Sequence, residues 1–251
     1  MSSVSILRWP KEADVDAFFE TIGPEAVQSY RAHWRTLTPE DYFETFDRWL
    51  FAFCSVHTSW AANVRGFQAI RNWPDWYQNS EELKRRLTES RIGLQENRTR
   101  FIFKFCNEYW KNPAAFYKQE SEDWVTYRNR LVNSVLGLGR AKVSFALELI
   151  YPCAAEVVCL DTHMFQLYGL NQTKHARHYQ GMERHWVAHS LSRHVPPVVA
   201  RAIYWDRKQN KKDSSYWTYV LAPTSDHLWP EKHQDSPHQS TSLIQGTIVA
   251  F

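Results

Sequence analysis

Two of the chain's eight glycines, Gly137 and Gly139, stand one residue apart in Val135-Leu136-Gly137-Leu138-Gly139-Arg140-Ala141-Lys142. Glycine permits a tight turn between helices, and the backbone N–H groups of such a turn can reach a DNA phosphate. Arg140 and Lys142 add positive charge beside it. Nineteen residues beyond Lys142 lies Asp161, followed by Thr162 and His163. Read alone, Asp161 and Thr162 are cap residues for a helix from His163 to Tyr168. His175, His178, His185 and His189 raise a metal reading. His185 and His189 would share a helix face, but no H-E-x-x-H glutamate accompanies them, so no metal site is expected. The cysteines, Cys54, Cys106, Cys153 and Cys159, form no CxxC pair. That disfavours a zinc ribbon or a cysteine-ligated iron–sulfur cluster, and it suits a reducing, cytoplasmic setting.

The elements that must carry these residues read as helices. Pro10 opens a short amphipathic segment over 10–19. Thr38-Pro39-Glu40-Asp41 is a helix start, with Thr38 as cap, and leads through Phe43, Phe46, Trp49, Leu50 and Phe53 at three- and four-residue spacing. A second run covers Trp60 to Ile70. Further helices are predicted at 80–90, 94–109, 113–118, 121–135 and from Lys142 to Ile150. Val157-Val158-Cys159-Leu160 is a short apolar run that ends at Asp161. Helices at 178–193 and 196–206 follow, then a last turn from Tyr216 to Leu221. Beyond Ala222, Pro223, Pro230 and Pro237 appear among many Ser, His and Gln residues, so 223–251 reads as an extended or disordered tail. The expectation is an all-α protein of roughly ten helices, with residues 1–222 as one helical domain and a hairpin at 135–142.

Composition agrees. The chain has 251 residues, of which 43% are hydrophobic, enough for a full core. Scarce glycine and few Val/Thr alternations argue against a β-sandwich or barrel. No apolar run is long enough to span a membrane, and Met1 to Ser5 begin no signal peptide. The net charge of +3 is mild. Its distribution says more, because Arg and Lys sit near many of the 12 tryptophans and 12 tyrosines. Aromatic and basic side chains together suit an extruded base, although aromatics also build cores in any fold.

The order G-L-G, helix, proline turn, apolar stretch and D-T-H resembles the helix–hairpin–helix DNA glycosylase superfamily over roughly residues 45–170. The resemblance implies an all-α fold of two packed helical lobes with the active site between them. It places Asp161 at a helix N-terminus beside a flipped nucleotide, and Gly137, Gly139, Arg140 and Lys142 on DNA. Phe53-Cys54-Ser55-Val56-His57-Thr58-Ser59-Trp60 resembles a segment whose polar side chain enters the duplex where the base has left. By that resemblance His57 takes this place, with Trp60 and Asn63 near the base pocket. Lyase-type members carry lysine two residues after the second glycine. Here that position is Ala141, and Lys142 is assigned to a phosphate.

Val195 to Lys208 and Lys212-Asp213-Ser214-Ser215-Tyr216-Trp217 resemble a narrower branch. It comprises the bacteriophage amino acid:DNA transferases, or α-glutamyl/putrescinyl thymine pyrophosphorylases, of thymidine hypermodification. That resemblance implies transfer of an amino acid or polyamine nitrogen onto 5-pyrophosphomethyl-deoxyuridine, with pyrophosphate as leaving group. Cations must help it depart, and Arg65, Arg71, Arg201, Arg207 and Lys208 are candidates. Asp161 or His57 would take the amine proton. Asp206 and Asp213 could hold a pyrophosphate-associated magnesium, but no cofactor is required. The expected partners are duplex DNA with a modified base and a free amine donor, with no membrane, and the protein is expected to act as a monomer. Two other readings stay open: a monofunctional glycosylase, and a non-enzymatic DNA-binding module. A carboxylate beside phosphates disfavours the last.

Overall fold

The computed structural model of the chain describes residues 9–221, so the tail expected at 223–251 lies outside the described residues. The helices are α1 (Glu12–Glu20), α2 (Pro24–Thr36), α3 (Tyr42–Cys54), α4 (Trp60–Ile70), α5 (Ser80–Glu89), α6 (Gln95–Lys111), α7 (Trp124–Ser134), α8 (Arg140–Ile150), α9 (Thr162–Leu167), α10 (Tyr179–Ser192), α11 (Pro197–Lys208) and α12 (Tyr216–Leu221). No strand occurs among the described residues. No helix among them is long and apolar enough to cross a membrane.

Side-chain chemistry sets several starts. Asp41 caps α3 by accepting from the Glu44 N–H at 2.8 Å, and Glu44 returns a bond to the Glu40 N–H at 2.9 Å. The cap expected at Thr38 is therefore displaced by three residues, because a carboxylate at Asp41 meets the free N–H groups directly. Thr38 instead closes α2 through its hydroxyl on the Trp34 carbonyl. Helix α2 itself had no counterpart in the sequence reading. Its signals are Pro24 in the first turn and the buried pair Tyr30 and Trp34, four residues apart. The helix expected at 113–118 is only a 3-10 turn, Pro113–Phe116.

Helix α3 is the hub. It is buried from Thr45 to Cys54 and packs against α4, α6 and α8. Phe46, Trp73, Phe105 and Trp110 fill one side, with Trp73 and Trp110 stacked at 4.6 Å. Trp49, Trp73, Trp76 and Trp186 are fully buried, so much of the aromatic content is core. Buried Arg48 ties the hub to the end of α2 and to α12 by donating to the Leu37 and Leu221 carbonyls.

The hairpin between α7 and α8 needs glycine at one position. Gly137 has φ +92°, and a Cβ there would stand 2.4 Å from the Phe101 ring. Gly139 is the N-cap of α8 and supplies no side-chain cap, which leaves the first N–H groups of α8 for an external acceptor.

The apolar run before Asp161 crosses the core without a neighbouring strand, so side chains satisfy its backbone. Glu183 accepts from Val158 N–H at 3.0 Å and Glu148 from Cys159 N–H at 2.7 Å. Tyr179 donates to the Val158 carbonyl at 2.6 Å, and Arg201 to the Cys159 carbonyl at 2.8 Å. Glu183 is itself held by buried Arg128 at 2.9 Å. These groups fix where the chain emerges at Asp161.

Candidate active site

Asp161 caps α9. Its Oδ1 accepts from the N–H groups of His163 at 2.9 Å and Met164 at 3.1 Å. Oδ2 is left for the cavity and for Arg201, whose Nη2 lies 3.4 Å away. Arg201, from the middle of α11, also pairs with Glu148 of α8 at 2.9 Å. One guanidinium therefore bridges two carboxylates and a backbone carbonyl.

Electrostatics follow from burial. Burial pushes the Glu148 carboxyl up to about 7, against the pull of Arg201 and the Cys159 N–H. Burial also opposes the charge on Arg201, but Glu148, Cys159 and Asp161 outweigh it and hold the guanidinium above its ordinary value. Burial raises the Cys159 thiol to about 12, which leaves it a poor nucleophile.

The cavity over these groups has an empty volume of about 780 Å³, including open space at its mouth. Its walls come from the α3–α4 turn, α4, α8, α11 and α12. Trp60 of α4 meets Trp217 of α12 edge to face at 4.8 Å, and Phe145 and Trp205 complete an aromatic surround. Asn63 also lines it, with its side-chain oxygen sealed from solvent and without a hydrogen-bond partner.

The structure sorts the expected site residues. Asp161, Trp60, Asn63 and Arg201 converge on the cavity, and Lys142 joins them from α8. Lys142, assigned to a phosphate from sequence, is thus a wall residue of the pocket. Gly137 and Gly139 are exposed on the hairpin, and Arg140 stands over the Tyr179 ring at 5.6 Å. His57 is exposed in a left-handed turn (φ 47°) and does not line the cavity, although Ser55, Thr58 and Ser59 around it do. His57 therefore stands beside the cavity rather than on its wall.

The other candidate cations lie away from the cavity. Arg71 pairs with Asp47 at 3.2 Å, and Arg207 donates to Thr21 at 2.6 Å while covering Phe18. Arg65 reaches the Ser90 carbonyl and Lys208 ends α11 exposed; neither lines the cavity. Asp206 is no magnesium ligand, since its buried oxygens accept from Ser214 at 2.6 Å and Tyr216 at 2.8 Å. Asp213 is partly buried and accepts from Ser215 N–H.

Sequence reasoning missed Glu148, Trp205, Tyr216 and Trp217 as cavity residues. Glu148 had a visible signal: it is the one charge in Val143 to Ile150, an otherwise buried run. A lone carboxylate there must have a partner. Nothing local marks Arg201 as that partner.

No protein-family model matches the sequence, and no curated protein matches it. Solved structures do. The 8-oxoguanine glycosylase/lyase of Methanocaldococcus jannaschii, in complex with a 15mer DNA containing 8-oxoguanine, aligns with TM-score 0.63 and 15% identity, covering 79% of this chain and 97% of that one. The 8-oxoguanine DNA glycosylase of Thermotoga maritima aligns with TM-score 0.60 and 17% identity, covering 80% and 97%. At this identity the likeness is one of fold. The chain has the helix–hairpin–helix DNA glycosylase fold.

Proposed function

We propose that this protein is a DNA base-processing enzyme that draws a modified pyrimidine out of duplex DNA into the cavity beside Asp161. There it replaces the pyrophosphate of 5-pyrophosphomethyl-deoxyuridine with the nitrogen of an amino acid or polyamine. The observation that carries this reading is Arg201, held between Glu148 and Asp161 on the wall of an aromatic cavity. Trp60 and Trp217 offer faces and edges to a flipped base. Asn63 brings an amide to the same wall of the cavity. Arg201 and Lys142 can stabilise negative charge on departing pyrophosphate. The amine nitrogen forms a bond to the C5 methylene carbon as the carbon–oxygen bond breaks and pyrophosphate leaves with its electrons. The surplus ammonium proton passes to Asp161 Oδ2, the carboxylate oxygen not spent on the α9 cap. The neighbour in complex with DNA containing 8-oxoguanine supports DNA with a modified base as the partner.

A second reading, excision of the base by a glycosylase, is favoured by two observations: the fold, and Lys142 on the cavity wall. Lys142 is one residue beyond the lysine position of lyase-type members, yet it still faces the pocket. The test is nucleoside mass spectrometry on a duplex carrying 5-pyrophosphomethyl-deoxyuridine, incubated with protein and a pool of amino acids and polyamines. An amine-bearing nucleoside supports transfer and names the donor. Abasic sites support excision. An unchanged duplex counts against the transferase reading.

A further inference from the structure

A second cluster of chemistry-bearing side chains lies between α1 and α10, and none of its members lines the cavity beside Asp161. Phe18 and Phe19 of α1 pack on Trp186 of α10 and bring the two helices together. On the same helix, four residues and so about one turn apart, stand His185 and His189, whose ring centroids are 4.3 Å apart. Helix α1 answers with Glu12 and Asp16, also one turn apart. His185 Nε2 lies 3.6 Å from Glu12 Oε1, and His189 Nε2 lies 3.4 Å from Asp16 Oδ1.

We propose that Asp16, His185 and His189, with Glu12 as fourth ligand, form a divalent transition-metal site that pins α1 to α10. One donor atom from each of Asp16, His185 and His189 falls within 4.8 Å of the other two. Zinc–nitrogen and zinc–oxygen bonds near 2.0–2.1 Å place tetrahedral partners about 3.4 Å apart, so closure needs shifts well under the length of a side chain. Two imidazoles and two carboxylates suit zinc, cobalt or nickel more than a hard oxygen-seeking cation.

The surroundings prepare His185. Its Nδ1 is 3.0 Å from the Tyr168 hydroxyl, which also lies 3.3 Å from the Met182 carbonyl. All three groups are satisfied only if Nδ1–H donates to Tyr168 and Tyr168 donates to Met182. That tautomer leaves Nε2 with its lone pair facing the cluster, the outer-sphere arrangement typical of metal-bound histidine. Asp16 Oδ1 is sealed from solvent and makes no hydrogen bond. His189 carries the opposing element. Its Nδ1 is 3.2 Å from Arg193 Nη1, a pure donor, so the metal-free ring keeps its proton on Nε2. Coordination moves that proton to Nδ1 and displaces Arg193 toward Glu20, which it already contacts at 3.1 Å. The lack of an H-E-x-x-H glutamate, which set the metal reading aside in the sequence, does not bear on this site, because its carboxylates come from another helix.

The test is calorimetric titration of the full chain with zinc, paired with thermal unfolding with and without zinc. Asp16→Asn and His189→Gln are each expected to weaken zinc binding at least tenfold and to remove its stabilising effect. Arg193→Gln is expected to strengthen binding several-fold, since it frees Nδ1. A His175→Ala/His178→Ala double variant is expected to bind as the parent does. The site is overturned if the parent binds no zinc, or if Asp16→Asn and His189→Gln both leave the affinity within twofold. Asp16 is half exposed, so its variant keeps the test decisive even if His189→Gln folds poorly.

Discussion

Arg201 and Glu148, 53 residues apart in sequence, meet at 2.9 Å across the inner wall of the cavity. The pair does three jobs. It neutralises a carboxylate buried in an apolar helix, it holds the chain at Cys159 from both sides, and it sets a cation beside Asp161.

The first prediction concerns pH and this pair. Glu148 has a folded value of about 7, raised by burial above its ordinary 4.5. Between those values the folded state holds a proton that the unfolded state has lost. Stability from this group is therefore complete below about 4.5 and declines as pH rises through about 7, by on the order of 1 kcal/mol per pH unit. Glu148→Gln keeps an oxygen for the Cys159 N–H and cannot titrate. Urea unfolding from pH 5 to 8 should show the parent losing stability relative to Glu148→Gln. Parallel curves would remove Glu148 from the linkage.

Arg201→Ala should be far more damaging than Glu148→Gln. It leaves Glu148 buried without its cation, a loss of roughly 3–5 kcal/mol for a broken buried pair. Thermal unfolding at pH 7 reads this directly. Lowering the pH toward 5 should recover part of the loss, because protonation removes the stranded charge.

Asp161→Asn separates the cap from the chemistry. Asparagine caps helices about as well as aspartate, so the unfolding midpoint should move little. Turnover should fall by about 10²–10⁴ if Asp161 handles the amine proton. Product formation by nucleoside mass spectrometry checks it, and unchanged product would exclude the carboxylate from the mechanism.

Lys142→Gln distinguishes the two readings of the site. In the transferase it weakens charge stabilisation on pyrophosphate, with an expected loss of about tenfold or more and no covalent adduct at any stage. In a glycosylase with lyase activity, borohydride would trap the parent protein on DNA and fail to trap the variant. Appearance of that adduct decides for excision.

The hairpin glycines should behave differently from each other. Gly137→Ala places a Cβ against the Phe101 ring at a positive φ, so it should destabilise the fold and weaken DNA binding together. Gly139→Ala meets open space at an ordinary φ and should leave the unfolding midpoint within about 0.5 kcal/mol of the parent. DNA affinity measured at several salt concentrations reads the second effect separately.

Much was legible locally. Helical spacing located most of the helices, because each buries a face against α3 or its neighbours and must repeat apolar residues every three or four positions. The overlooked α2 had the same signals. Asp161 was readable as a cap because capping is settled within four residues of backbone. The glycine pair marked the hairpin for the same reason: a positive φ at Gly137 is a local demand.

The sequence by itself determined the helical fold, the hairpin and the place of Asp161 at a helix start, since these rest on propensities and hydrogen bonds spanning a few residues. Tertiary structure alone decided which charges serve the site. Five cations were candidates for the leaving group. Packing spent Arg71 on Asp47 and Arg207 on Thr21, left Arg65 and Lys208 away from the cavity, and brought Arg201 and Lys142 to its wall. It also set His185 and His189 against the carboxylates of α1. A charge acts through the few ångströms around it, and the neighbours found there come from segments that the linear order keeps far apart.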